Sequence, residues 1–565
     1  MSSQGTGEHE VITSFDVAVP CRDGAVLRAN IARPAGEGRW PALLIRTPYS
    51  KDQSKPDPLM DMLGLAREGF AVIVQDVRGR FRSDGVDEFT PFTHEAEDGA
   101  DAVAWAAALP FCTGVVFMVG SSYGGAAGWA AATAQPPALR AFAAHQSPST
   151  PWRTLFYRGG VPEVGAMVPW FLSFGGDTLM RRHRDAPAEL QQTLGKLFAE
   201  VAALPANLGG PGLAPLAALE RAGVGAGLLA LYDGQPSPMA QALEAAQAYE
   251  RITAPALISG GWYDLFCQGA IDQFVGMRAR AGSAAAREHT RLIMGPWTHG
   301  ALSHIIGERS FGLQAAPGLR AEVLRFLREP LGDAAPVRIF VMGANVWRDE
   351  REWPLARTQV APWYLGGGTF GPDQRPSPPA LLRYDPNDPA PTWGGGTLGF
   401  TELAGPRDLR EVERREDVLI YTSDALGEDL EVTGAAIAEL WVVSDMADSD
   451  FIVRLVDVQP NGAAYAVAEG TLRARHRAAP DMPWLGEPLQ AGTPTLLRIA
   501  LTPTSNVFQR GHRVRIHITC GSAPRWARNT STWDQRDAAQ VARHHVLHDE
   551  AHPSRVLLPI IPTAS

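Results

Sequence analysis

At 565 residues the chain is too long for one hydrophobic core, which stops growing near about 250–300 residues, so roughly two or three domains are expected. Its 45% hydrophobic and 20% charged residues exclude the disordered and fibrous classes. A formal net charge of −10 without any dense Lys/Arg run argues against a nucleic-acid partner.

The first residues, Met1 to Glu10, carry neither the basic nor the apolar segment of a secretory leader. No apolar stretch reaches the roughly 18–20 residues of a membrane span, so no membrane association is expected. Cys21, Cys112, Cys267 and Cys520 are too sparse and too far apart for a disulfide scaffold or a C-x-x-C site. A cytoplasmic protein with four buried thiols is the expectation.

In chain order, Ala42–Ile45, Ala71–Val74 and Val115–Val119 are short apolar runs rich in β-branched residues, the signature of buried parallel strands. Ala100 to Leu109 reads as a helix between the last two. The strand signal returns at Ala256–Ile258 and Leu292–Met294. Between Pro148 and Gln247 the period is helical: Leu190, Leu194, Leu197 and Val201 share a face, and Asp185 is placed to cap the helix. Beyond about Arg351, the glycine triplets 366–368 and 394–396 and many prolines punctuate short alternating segments. Phe451 to Val456 and Tyr465 to Leu472 flank Asn461-Gly462 as a hairpin, and Arg513 to Ile518 alternates as a strand with one wet face. The fold class is therefore α/β: an α/β-hydrolase sheet (1–147 and 248–350), a helical insert (148–247) and a C-terminal all-β sandwich or jelly roll (351–565).

Gly120-Ser121-Ser122-Tyr123-Gly124 fits G-x-S-x-G between a strand and a helix of small residues, where glycines permit the sharp turn that exposes a nucleophilic serine. Only Ser122 is in register. A serine needs an adjacent base, and in this class the chain order is Ser, acid, His. His299, just past the Leu292–Met294 strand, is the base candidate; His304 is its rival, with His94 and His145 read as structural. Asp264, just past Ala256–Ile258, is the acid candidate. Asp272 competes with it but is read as a solvated helix carboxylate.

The developing oxyanion requires donors. The backbone N–H of Tyr123 is one, and the Tyr49 hydroxyl is placed to replace a second amide; the plainer reading of Tyr49 is an aromatic loop anchor. The charged stretch Asp76, Arg78, Arg80, Asp84, Glu95, Glu97, Asp98 and Asp101 has no His or Cys at ligand spacing, so it is read as a solvated loop with internal ion pairs. The glycine triplets lack the strand-to-helix setting of a phosphate cradle. Neither metal nor cofactor is implied.

Together, Arg46-Thr47-Pro48-Tyr49, Gln75-Asp76-Val77-Arg78-Gly79, the Ser122 motif, Gly261-Trp262-Tyr263-Asp264 and Gly295-Pro296-Trp297-Thr298-His299 resemble the bacterial cocaine esterase family of X-Pro dipeptidyl-peptidase-like acyl hydrolases. The likeness continues through Val341-Met342-Gly343, Trp347-Arg348-Asp349, Tyr384-Asp385-Pro386 and Ser505-Asn506-Val507-Phe508, in order. It implies the same three parts and a tyrosine hydroxyl, here Tyr49, on the oxyanion. It also implies an acyl pocket of aromatics from all three parts, at Trp170, Phe266 and Phe400, with Phe156 and Trp152 less securely placed. A buried core aromatic is the plainer reading of each.

Two departures bear on activity. The α-amino acid ester hydrolases of this group carry carboxylates just after the acid, where this chain has Phe266 and Cys267. The X-Pro dipeptidyl peptidases resemble this chain with an additional N-terminal domain, whereas the strand pattern here begins almost at once. A small-molecule carboxylic ester, cleaved through an acyl-enzyme, is the expected substrate. An amide-cleaving acylase or dipeptidyl peptidase, and more remotely a non-catalytic carbohydrate-binding protein, are the alternatives. A homodimer is left open.

Overall fold

β-Branched and leucine-rich runs, buried on both faces, build the larger part of the fold. The structure, a computed structural model, describes residues 9–53, 61–85, 89–316, 318–399, 401–535 and 538–562. Among these, one sheet contains β1 (Val11–Pro20), β2 (Val26–Pro34), β3 (Trp40–Thr47), β4 (Ala71–Asp76), β5 (Cys112–Ser121), β6 (Leu139–His145), β7 (Ala256–Tyr263), β8 (Arg291–Thr298), β9 (Val337–Val341) and β10 (Val346–Glu350). Their spatial order is β1-β2-β4-β3-β5-β6-β7-β8-β9-β10. The strands from β4 to β9 in that order pair in parallel, and the outer pairs are antiparallel.

Helices Glu95–Ala108, Tyr123–Thr133 and Cys267–Arg280 connect strands across the sheet. Between β6 and β7 the chain is mainly helical, including Val164–Arg182 and Pro187–Ala202. The second of these begins differently from the expectation. Ala186, not Asp185, is its N-cap, no side chain caps it, and Pro187 fills the first turn, where a missing N–H costs nothing. Of its apolar stripe only Leu197 is buried, and Val201 is 45% exposed.

A second sheet holds thirteen strands among the described residues, all after Thr358. The hairpin forms between Asp450–Val458 and Ala464–Arg473. Arg513–Thr519 alternates only at its start: it lies between Leu419–Thr422 and Asp450–Val458, and residues 516–519 are buried without interruption. A central strand has no wet face to spare.

The two sheets share one apolar core, running from Val19 through Phe340 and Met342 to Ile561. Past β9, Met342 exchanges backbone hydrogen bonds with Ser505 and Val507 at 2.9 and 2.8 Å. The insert packs a separate aromatic core against the Ser122 side, containing Tyr123, Phe156, Phe171, Phe174, Leu265 and Phe266.

Candidate active site

Three parallel strands position the three candidate groups. Ser122 follows β5, Asp264 follows β7 and His299 follows β8, each at the strand's C-terminal end. Ser122 has φ 56° and ψ −119°, a conformation that costs an L-residue roughly 1–3 kcal/mol and persists only where surroundings impose it. The flanking glycines make this turn passable. A Cβ on Gly120 would lie 2.2 Å from the carbonyl carbon of Gly124, and one on Gly124 would lie 3.1 Å from the Arg46 carbonyl oxygen.

His299 Nδ1 lies 3.0 Å from Asp264 Oδ1. The same oxygen accepts the Phe266 backbone N–H at 3.2 Å. Asp264 is 1% exposed and His299 is half-buried. With Nδ1 donating to the carboxylate, Nε2 is the nitrogen left to accept a proton. Phe266 stands edge-on to the imidazole, centroids 5.3 Å apart.

Tyr49 lies on the loop after β3. Its hydroxyl accepts the Trp170 indole N–H at 3.0 Å and hydrogen-bonds the Ser122 side chain. Burial raises the phenol above its ordinary value, outweighing those two hydrogen bonds, so it keeps its proton at neutral pH. Tyr123 begins the helix after Ser122, where the first backbone N–H groups have no partner one turn back.

Other aromatics are placed less directly. Phe156 is fully buried in the insert core, its carbonyl accepting the Tyr232 hydroxyl at 2.8 Å. Trp152 packs on Trp484 of the all-β part, centroids 5.1 Å apart, and donates to Glu244 at 2.7 Å. Phe400 lies outside the described residues.

Among the rivals, His145 is buried and bonded to Ser259 Oγ at 2.8 Å. Asp272 is no solvated carboxylate: it is half-buried, accepts Gln268 at 2.7 Å and faces Arg153 at 3.7 Å. Burial raises its carboxyl.

The charged stretch forms the expected internal ion pairs, with Asp84 and Glu97 exposed, but half of it is buried rather than solvated. Asp76, Arg80, Glu95 and Asp98 are at most 3% exposed. Arg46, itself buried, pairs with Glu95 and stands 3.8 Å from Asp98, whose other side holds Arg78 at 2.6 Å. Glu95 also accepts the Tyr123 hydroxyl at 2.6 Å, so this ion-pair cluster props the elbow from below. Internal pairing let these charges sit under the site rather than in solvent.

One group escaped the sequence reading altogether. Gln146, buried at the end of β6 with φ 44°, donates to the Thr298 carbonyl and accepts the Gly300 N–H, both at 2.8 Å. It grips the backbone on both sides of His299. Nothing in a lone glutamine after a strand signals this.

A strained serine elbow at the C-terminal edge of a largely parallel sheet, with a hydrogen-bonded histidine–aspartate pair at the same ends of two adjacent strands, is the arrangement of an α/β-hydrolase-type serine hydrolase. Residues 23–301 match the family model "X-Pro dipeptidyl-peptidase (S15 family)" and residues 331–557 match "X-Pro dipeptidyl-peptidase C-terminal non-catalytic domain". The chain is 32% identical to the cocaine esterase of Rhodococcus sp. (strain MB1 Bresler), over 97% of this chain and 98% of that one. The chain belongs to the X-Pro dipeptidyl-peptidase S15 family. Its fold is shared with an α-amino acid ester hydrolase (TM-score 0.81, 23% identity, covering 99% and 98% of the two chains). It is shared also with an aminopeptidase from a marine-sediment Thaumarchaeota archaeon (TM-score 0.80, 21% identity, covering 100% and 98%).

Proposed function

We propose that this chain hydrolyses carboxylic esters of small molecules, with Ser122 as nucleophile, His299 as base and Asp264 as the acid that orients it. The observation that carries the reading is the Asp264–His299 hydrogen bond at the same sheet edge as a Ser122 whose hydroxyl meets Tyr49, two strands away from the Asp264 strand. Ser122 Oγ attacks the ester carbonyl carbon and passes its proton to His299 Nε2. The tetrahedral oxyanion takes hydrogen bonds from the Tyr49 hydroxyl and the Tyr123 N–H. The carbon–oxygen bond to the alcohol then breaks as His299 returns the proton to it, leaving an acyl-Ser122 that water cleaves by the same steps.

The acyl group meets Trp170 and Phe266, beside the oxyanion tyrosine and the imidazole respectively. Phe156 and Trp152 pack in the same apolar cluster as these two, and the assignment of Phe400 rests on the family resemblance alone. The division into an α/β-hydrolase unit (1–147, 248–350), a cap (148–247) and a jelly roll (351–565) belongs to the same reading. So does residence in the cytoplasm, supported by four free, buried cysteines.

Amide cleavage is the competing reading, favoured by the family's peptidase members. Phe266 and Cys267 after the acid favour esters without a free α-ammonium, since neither offers it a countercharge. Matched p-nitrophenyl esters and p-nitroanilides of acetic, benzoic and amino acids separate the two. Turnover confined to the anilides would overturn the ester assignment. A fluorophosphonate should label wild-type enzyme once, and Ser122→Ala should take no label and lose roughly 10⁶ in kcat with its melting temperature kept.

A further inference from the structure

The turn Asp264–Leu265–Phe266 is held from two sides by parts of the chain far from it in sequence. On one side Arg158, from the insert, donates Nη2 to the Leu265 carbonyl at 2.7 Å and Nε to Glu163 at 2.9 Å. Glu163 faces Arg525 of the all-β part at 3.4 Å; Arg525 pairs with Glu469, whose second oxygen stands 3.5 Å from Arg454. All five side chains are at most 7% exposed.

On the other side the glycine triplet 394–396 lies on the acid's own backbone. A Cβ on Gly396 would stand 3.0 Å from the carbonyl carbon of Asp264 and 3.2 Å from Leu265 N. Gly394 and Gly395 have φ 75° and 78°, a region other residues rarely enter. A Cβ on Gly395 would strike Glu469 Oε1 at 2.1 Å, and the Gly396 N–H donates to that oxygen at 3.2 Å. The triplet therefore joins the ionic cluster to the acid turn.

The charges agree with this arrangement. Arg158, Arg454 and Arg525 face Glu163 and Glu469, three positive against two negative, leaving one uncompensated positive charge inside the protein. Burying an excess charge is costly unless an opposite one lies nearby. Asp264, buried on the turn that Arg158 holds, supplies it.

Resting on the catalytic reading above, we propose that Arg158 and the Gly394–Gly396 turn are positioning elements for Asp264. They clamp the acid turn between the insert and the all-β part, so these contacts of the C-terminal part set the orientation of the catalytic imidazole. Phe266 rides on the same turn, and its ring is carried against His299 with it.

The test is a pair of double-variant cycles on p-nitrophenyl acetate. Arg158→Met and Gly396→Ala are each made in wild type and in Asp264→Ala. Removing Arg158 leaves Glu163 and Glu469 matched by Arg454 and Arg525 but takes the nearby positive charge from Asp264, so a thermal melt is read beside each rate. The expected result is a fall in kcat of about 10–100-fold with KM within about twofold for each single variant, and less than a twofold further fall in Asp264→Ala. Arg158→Lys, keeping the charge but not the two-pronged grip, should recover part of the loss. Full additivity with Asp264→Ala, or wild-type kcat in both single variants, would overturn the proposal. If Arg158→Met fails to fold, Arg158→Lys and Gly396→Ala carry the same cycle with the same two outcomes. Fluorophosphonate labelling of Ser122 in the wild-type enzyme keeps failure of the clamp separate from failure of the hydrolase assignment.

Discussion

Tyr49→Phe isolates one hydroxyl. The ring stays stacked on Phe174, 6.0 Å between centroids and 21° between planes, so packing is nearly unchanged. Two interactions disappear. The Trp170 indole N–H, donating at 3.0 Å, loses its acceptor, and a stranded buried donor costs roughly 1–3 kcal/mol. That cost falls equally on free enzyme, substrate complex and transition state, so it lowers the melting temperature and leaves kcat alone. The other loss is the hydroxyl beside Ser122, a donor to the oxyanion that develops on the ester's carbonyl oxygen. It acts mainly in the transition state, and one oxyanion donor is worth about 2.7–4 kcal/mol, or 10²–10³ in kcat. Because burial keeps the phenol protonated, the effect should not depend on pH between about 6 and 8. The assay is steady-state hydrolysis of p-nitrophenyl acetate with a parallel thermal melt. A lower melting temperature with wild-type kcat would refute the oxyanion role and leave Tyr49 an aromatic anchor for Trp170.

Asp264→Asn should lower kcat by roughly 10⁴ by presenting His299 in the wrong tautomer, while Asp272→Asn, which only relieves a half-buried carboxyl, should leave kcat within a few-fold; the reverse ranking on the same assay would reassign the acid. Phe266→Ala should cost benzoyl esters roughly 1–3 kcal/mol more in kcat/KM than acetyl esters, and an equal loss on both would make Phe266 a support for His299 alone. Burial pushes Asp76 up to about 7 against the pull of Lys51. The folded chain therefore keeps a proton that the unfolded chain releases near about 4, and stability falls as pH rises between those values. Asp76→Asn should flatten the decline by up to about 4 kcal/mol, measured as urea midpoints at pH 4.5 and 7.5; an unchanged slope would show that Lys51 keeps the carboxylate charged.

What the sequence revealed was what lies close together along it. The strand-end placement of Ser122 was legible because strand, glycines and helix are contiguous, and that of His299 and Asp264 because each directly follows an apolar run. Long-range partners were not. Arg46 and Glu95 pair across 49 positions, Gln146 and Thr298 across 152, and Arg525 and Glu163 across 362. A charge reads as solvent-facing until its partner is known, which is why the burial of Asp76, Arg80, Glu95 and Asp98, and of much of Asp272, is invisible in the sequence. Asp185 missed its helix for a local reason: Pro187 already opens the first turn one residue after Ala186.

The glycine triplet resting on the acid turn has a consequence in the order of synthesis. A ribosome releases the chain from its N-terminus, so Ser122, Asp264 and His299 all emerge before residue 300. Gly396, packed on the backbone of Asp264, and the Glu469–Arg525 pair follow later. On the proposed reading, a growing chain holds the three candidate groups before the surface that would align them, and competence for hydrolysis waits on the later segment.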